Sequence, residues 1–152
     1  MLGEIIYEAK GKVTGLRVLS VEEGIPKIET TISQTGDLRG TEISLIVTYW
    51  SVPREVSLEG VGRERERQTV LYAEGQGVLM TKDGDGGGTE TATWKGQGIA
   101  HINDQKRTDR GSVFCRTSSK GKLAFLNNIV GVFEYEADLG EGTAQGKVWE
   151  WK

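Results

Sequence analysis

Hydrophobic and polar residues alternate with a period of two along much of the chain. Ile28 and Ile32 share one face of a first alternating run, and residues 43–49 form a second run that ends at Tyr49. Successive side chains of a strand point to opposite faces, so this alternation predicts half-buried β-strands. Residues 34–40, between the two runs, contain turn-forming residues. The two strands are therefore predicted to form a hairpin or an adjacent antiparallel pair.

Further strands are predicted at short spacing, and no long segment has helical periodicity. The predicted strands comprise residues 69–80, 90–102, 112–117, 129–137 and 145–151, with residues 16–23 read as strand and turn and residues 123–126 as the lead into 129–137. Turns or polar loops are predicted between them at residues 82–88, 103–110, 118–121 and 139–142. About eight to ten short strands without helices indicate a β-sandwich or a β-barrel.

The glycine content favours the barrel. The chain has 22 glycines and two prolines in 152 residues, and this glycine share is about twice the average. Gly75 and Gly77 are repeated by Gly96 and Gly98, 21 residues later. Glycines two apart lie on one face of a strand and let a sheet coil sharply. We therefore predict one all-β domain over residues 1–152, a small closed antiparallel barrel of about eight strands with little or no helix.

Charge and cysteine content narrow the possible partners. With 19 basic and 22 acidic residues, the net charge is −3, so no basic excess favours nucleic-acid binding. The charged run at residues 63–67 alternates in sign, which is typical of a solvated strand or loop. Cys115 is a single cysteine, the N-terminus lacks the basic and apolar regions of a signal peptide, and no segment has 18 consecutive apolar residues. A cytoplasmic protein without a membrane partner is expected.

Two segments and the Gly-x-Gly strands carry a resemblance to a known superfamily. Residues 35–41 (TGDLRGT) and 131–136 (GVFEYE) resemble uncharacterised prokaryotic proteins of the allene-oxide-cyclase-like barrel superfamily, which is also similar to plant dirigent proteins. The resemblance spans roughly residues 28–151. It implies an eight-stranded barrel that is often trimeric or dimeric, and several such barrels hold apolar small molecules in the bore. A homo-oligomer is therefore expected.

Three residues are candidates for catalysis. His101 is either a general base at a barrel mouth or a surface histidine, and Cys115 is either a nucleophile or a small buried hydrophobe. Glu134 alternates with aromatic residues, so it either faces solvent or lies inside as a base whose pKa burial raises. The plant enzymes of the resembling superfamily are thought to use a buried glutamate and a cysteine around an epoxide. A lone histidine without a Cys/His cluster predicts no metal site, and the glycine-rich turn at residues 84–88 lacks the Lys-Ser/Thr of a phosphate loop. No cofactor is predicted.

Aromatic residues provide the candidate ligand-binding set, namely Tyr49, Trp94, Phe133, Tyr135 and Trp149. They line the bore around an apolar ligand, fill it, or lie between subunits. The leading hypothesis is a barrel that binds an apolar small molecule, which needs a cavity of about 300 Å³ or more. The alternatives are an isomerase or cyclase with Glu134 as base, assisted by Cys115 or His101, and a structural module with a filled barrel. The enzyme needs an inward carboxylate or histidine, and the module needs a large apolar interface.

Overall fold

Eight antiparallel strands close into a barrel in the computed structural model, which describes residues 1–54, 69–82 and 89–152. The strands are β1 (Leu2–Glu22), β2 (Ile25–Leu38), β3 (Thr41–Pro53), β4 (Thr69–Thr81), β5 (Thr91–Asn103), β6 (Lys106–Arg116), β7 (Gly131–Asp138) and β8 (Thr143–Trp151). Each strand pairs with the next, and β8 pairs back with β1. The predicted fold class is confirmed. Among the described residues, helix is confined to one 3-10 segment, Ala124–Asn128.

The strands run further than the alternation of residues predicts. The β2–β3 hairpin forms as expected, with Ile32 opposite Val47, but β2 continues to Leu38 and the turn is only Arg39 and Gly40. Both turn residues have positive φ values, +47° and +87°. Most of the predicted polar loop at residues 103–110 likewise belongs to β6. Arg107 and Asp109, two polar residues of that strand, face the interior as a pair. A pattern based on hydrophobicity therefore does not predict this part of the strand.

Glycines allow neighbouring strands to approach closely where the barrel coils. A Cβ at Gly36 of β2 would lie 1.8 Å from the carbonyl oxygen of Glu8 in β1. A Cβ at Gly111 of β6 would lie 2.0 Å from the carbonyl oxygen of Gln97 in β5. Only glycine fits such approaches of backbone to backbone. The high glycine content is thus used for tight coiling of the sheet, as the sequence predicted.

One end of the barrel is packed by the connection between β6 and β7. Leu123 and Leu126 are fully buried there and join the core that contains Leu38, Ile43 and Leu79. Burial of an aliphatic side chain of this size contributes roughly 1.5–3 kcal/mol. The segment at residues 123–126, predicted to lead into a strand, instead forms the N-cap and the first residues of the 3-10 helix. It gives this end of the barrel an apolar cover.

Two predictions lie outside the described residues, namely the charged run at residues 63–67 and the glycine-rich turn at residues 84–88. Within the described part of the chain, no helix has the length and hydrophobicity needed to cross a membrane. The same residues contain no cluster of three or more His, Cys, Asp or Glu side chains that could hold a metal ion.

Candidate functional site

A cavity of about 90 Å³ lies in the bore of the barrel. Four of the five aromatic residues predicted to bind ligand line it: Tyr49 from β3, Trp94 from β5, and Phe133 and Tyr135 from β7. The rings of Tyr49 and Tyr135 meet edge to face with centroids 5.9 Å apart. Valine side chains and Tyr7 complete a mainly apolar wall. Strand alternation brings these side chains together because each of them occupies an inward position of its strand.

The indole of Trp94 lies against glycines of the neighbouring strand β4. A Cβ at Gly77 would lie 2.4 Å from Nε1 of Trp94, and a Cβ at Gly75 would lie 3.5 Å from Cη2 of the same ring. Gly77 is also the direct cross-strand partner of Trp94. The first Gly-x-Gly pair therefore makes room for an indole in the barrel wall.

Buried polar atoms without partners are the second feature of this cavity. Among the described residues, Nε2 of Gln34, Nε1 of Trp94 and the hydroxyl of Tyr135 are buried and make no hydrogen bond. All three residues line the cavity. Burial raises the pKa of Tyr135 far above its usual value, and the nearby Tyr49 phenol adds to this shift, although the two hydroxyls do not reach hydrogen-bond geometry. Buried polar groups in proteins nearly always have partners, so these three need an explanation.

A buried ion pair borders the same cavity. Nε and Nη2 of Arg107 donate to Oδ1 and Oδ2 of Asp109 at 2.7 and 2.8 Å, and Nη1 donates to Oγ of Ser51 at 3.2 Å. The guanidinium also lies 4.6 Å from the centre of the Tyr49 ring. Burial alone would lower the pKa of Arg107, but the hydrogen bonds and charge of Asp109, together with Tyr49 and Tyr135, raise it overall. The alternation of hydrophobic residues does not reveal this pair, whose signal in the sequence is two opposite charges at i and i+2 on one strand.

The three candidate catalytic residues are not brought together. Cys115 faces inward opposite Trp94, and burial raises the pKa of its thiol to about 11. The hypothesis that Glu134 lies inside is wrong, because its carboxylate is on the outer face and accepts from Nε of Arg110 at 3.1 Å. His101 is exposed on the outer face of β5. A thiol held in its protonated form is a poor nucleophile at neutral pH.

Trp149 does not line the bore, so the prediction for this fifth aromatic residue is wrong. It pairs across the strands with Ile5 of β1 and Val132 of β7. The preceding residue, Val148, is the inward one and is 5% exposed. Trp149 and Trp151 share one face of β8, and that face is the outer one. In β8 the bore is lined by Gly146 and Val148 instead.

A two-stranded arm extends beyond the closed part of the barrel. β1 pairs with β8 only as far as Lys12, and β2 pairs with β3 only from Glu29, so the distal residues of the β1–β2 hairpin pair only with each other. Val18 lies opposite Ile28 and Val21 lies opposite Pro26, with a bulge between the two pairs. Both pairs therefore fall on one face of the hairpin.

No family profile matches this chain, and no curated protein does. A conserved protein of unknown function from Rhodopseudomonas palustris has a similar structure, with a TM-score of 0.66 over 99% of this chain and 97% of that one. The two sequences are 10% identical, so the likeness extends to the fold alone.

Proposed function

We propose that the barrel binds a compact, mostly apolar molecule in its bore. The observation that carries this proposal is the cavity walled by Tyr49, Trp94, Phe133 and Tyr135. Apolar clefts or cavities with a few polar groups are the usual form of a small-molecule site. At about 90 Å³, the cavity does not reach the roughly 300 Å³ that the sequence-based hypothesis required, which is the size of a site for drug-sized ligands. It is also smaller than the cavity of about 150 Å³ that takes benzene in another protein. The ligand would accordingly contain only a few non-hydrogen atoms.

Binding is better supported than catalysis. Glu134 and His101 face outward, and the thiol of Cys115 is protonated at neutral pH. The resemblance to allene-oxide-cyclase-like barrels supports a ligand in the bore equally well without a reaction. The single cysteine, which has no partner for an internal disulfide, supports a reducing compartment such as the cytoplasm.

The test combines native mass spectrometry of the purified protein with NMR titrations of small organic probes. We expect either a co-purifying compound or saturable shifts of Val47, Val113 and Val148 methyl signals at millimolar concentrations of 2-butanone or 2-methylbut-1-ene. Ala73 also lines the cavity, so Ala73→Leu should weaken binding at least tenfold. The outward-facing Val78→Leu is the matched control and should leave affinity unchanged. Absence of saturable shifts with every probe in a folded protein would refute the proposal.

A second candidate function, a homo-oligomeric interaction module, is favoured by the β1–β2 arm. Leu16, Val18, Val21 and Ile28 are 70%, 61%, 63% and 37% exposed. Together they present on the order of 400 Å² of apolar surface, which is within the range of the largest and often functional patches on monomers. An isolated two-stranded hairpin is marginal in water, so the arm gains stability from a cover. Two such faces with their flanking backbone would approach the roughly 1,200 Å² of the smallest stable interfaces, which favours a second copy of this chain.

Sedimentation equilibrium tests this second candidate. The wild-type protein should form dimers or a higher closed oligomer, and Val18→Lys should shift it towards the monomer by at least tenfold in dissociation constant. Phe114→Lys is the control, because Phe114 is 57% exposed on β6 and lies outside the arm. A wild-type protein that is monomeric at high concentration, or one for which both variants act alike, would rule out the arm as the interface. Ligand binding in the bore is measured separately and does not depend on this result.

A further inference from the structure

The unpaired polar atoms of the bore identify the chemistry of its ligand more closely, and this inference rests on the proposed function. Gln34 is buried, with 7% of its surface exposed, and its Nε2 has no hydrogen-bond partner among the described residues. Nε1 of Trp94 and the hydroxyl of Tyr135 are in the same condition. An indole N–H and an amide NH₂ can only donate, and a phenol donates readily. The groups that the bore leaves unpaired are therefore donors.

Donors without acceptors indicate a ligand that carries an acceptor. A buried donor left without a partner destabilises the protein by roughly 1–3 kcal/mol in mutational series, and a ligand oxygen that accepts from it relieves this penalty. A purely apolar ligand would fill the space but leave the donors unsatisfied. A ligand whose polar group is itself a donor would gain nothing from the nitrogen atoms of Gln34 and Trp94.

The charges around the bore indicate that the acceptor is neutral. Among the described residues that line the cavity, Lys147 is the only cation. Arg107 is not one of them but is paired with the lining residue Asp109, and its guanidinium is also engaged by Ser51. Lys147 contributes to the wall, but its ammonium is directed outward to Glu8 at 4.0 Å, with 54% of the side chain exposed. A carboxylate or phosphate in the bore would therefore lack a counter-ion, and an unpaired buried charge is strongly unfavourable.

We propose that the bore recognises a compact neutral carbonyl compound, such as a small ketone, aldehyde or amide, through donors on Gln34, Trp94 and Tyr135. The apolar part of this molecule packs against the aromatic wall. Its carbonyl oxygen accepts from at least one of the three donors. The carbonyl supplies what the apolar wall cannot, namely a partner for buried N–H and O–H groups.

Three probes of nearly the same shape test this proposal at pH 7. 2-Butanone has a neutral carbonyl, 2-methylbut-1-ene replaces the oxygen with CH₂, and propanoate carries a charged acceptor. NMR titrations should give an affinity for 2-butanone at least tenfold above that for either of the other two. The indole N–H signal of Trp94, one of four in the protein and assigned with Trp94→Phe, should shift if it is the donor used.

Variants of the donors locate the contact. Gln34→Leu and Tyr135→Phe remove hydrogen-bonding groups with little change in volume, and each should reduce the preference for the ketone over the alkene severalfold if it contributes. Tyr72→Phe is the control, since Tyr72 is outward and bonded to Glu74. Equal affinity for ketone and alkene would overturn the carbonyl inference and leave the proposed function standing. Stronger binding of propanoate than of 2-butanone would overturn the inference that the ligand is neutral. Absence of binding by any probe would overturn both proposals.

Discussion

At the scale of single residues, the position of Trp94 depends on the absence of a side chain at Gly77. We expect Gly77→Ala to place a Cβ 2.4 Å from Nε1 of the indole. The ring is packed in the core and cannot swing away freely, so it must shift together with the strand. Such overpacking typically costs about 1–3 kcal/mol. Urea unfolding followed by tryptophan fluorescence would measure this loss of stability.

Gly146 provides the control for this substitution. It faces the same bore from β8, but a Cβ there would have its nearest neighbours at 3.8 Å, which is ordinary van der Waals contact. Gly146→Ala should be neutral, or more stable by about 0.4–1 kcal/mol through the unfolded state. Equal destabilisation by both substitutions would mean that the strand backbone, and not the indole, makes glycine necessary at position 77.

The orientation of individual side chains was only partly predictable from sequence. Residues 133–136 and residues 148–151 alternate equally well, yet Phe133 and Tyr135 face the bore whereas Trp149 and Trp151 face outward. The inward face is decided by register, where Phe133 lies opposite Val148. Register shifts in β1 near Ile5 change which face a residue occupies, and alternation alone does not reveal such bulges.

At the scale of elements, one carboxylate organises the connection between β6 and β7. Glu90 accepts hydrogen bonds from the hydroxyl of Ser119 and from the backbone N–H groups of Lys122 and Leu123. These bonds hold the chain just before the 3-10 helix, so that Leu123 and Leu126 are directed into the core. The hydrogen bond from Ser119, with those from the backbone, lowers the pKa of Glu90.

The lowered pKa of Glu90 predicts a pH dependence of stability. Because the folded pKa lies below the unfolded value of about 4.3, its contribution is fully present above that value. It is lost as the pH falls through the folded pKa. Urea unfolding at pH 7 and pH 3 should therefore show a larger acid loss for the wild type than for Glu90→Gln. Glu136→Gln, at an exposed position on β7, is the control, and an acid loss in Glu90→Gln equal to that of the wild type would contradict the prediction.

The strands after β1 were largely predictable, whereas most of β1 (Leu2–Glu22) was not, because only residues 16–23 were read as strand and turn. The hairpin of β2 and β3, the strands β4, β5, β7 and β8 and the turn at residues 139–142 follow from alternation and turn residues. The first half of β6 was missed because Arg107 and Asp109 are buried polar residues. The 3-10 helix was missed because Leu123 and Leu126 are too few to show a helical period. Pattern rules read hydrophobicity, whereas these segments depend on pairing and on a local hydrogen-bonded loop.

At the scale of the whole molecule, the bore differs in chemistry along its length. The core beside the 3-10 helix is apolar, with Leu123 and Leu126 fully buried. Towards the turns at residues 104–105 and 139–142, the bore is bordered by the Arg107–Asp109 pair, which is 5–6% exposed. The cavity lies between them. Any ligand therefore meets aromatic rings on its sides and neutralised charge at one end, which is the arrangement on which the choice of a neutral ligand depends.

Breaking the ion pair tests this arrangement. Asp109→Leu should destabilise the protein by about 3–5 kcal/mol, because it leaves the guanidinium of Arg107 buried without its partner. The double variant Arg107→Met with Asp109→Leu should recover most of this loss, since buried ion pairs are often replaceable by apolar residues. The exposed pair Arg110–Glu134 is the control, and Glu134→Leu should change stability by no more than about 1 kcal/mol. Urea unfolding of the four proteins gives these differences.

The result also bears on ligand charge, because a free guanidinium would change what the bore accepts. In Asp109→Leu the unpaired Arg107 should attract propanoate, and the preference for 2-butanone should fall or reverse in the NMR titration. A small loss of stability without a gain in propanoate affinity would mean that Arg107 reaches water when released. The polar end of the bore would then be open to solvent, and the charges would no longer exclude an anionic ligand. The unpaired donors would still favour a ligand that carries an acceptor.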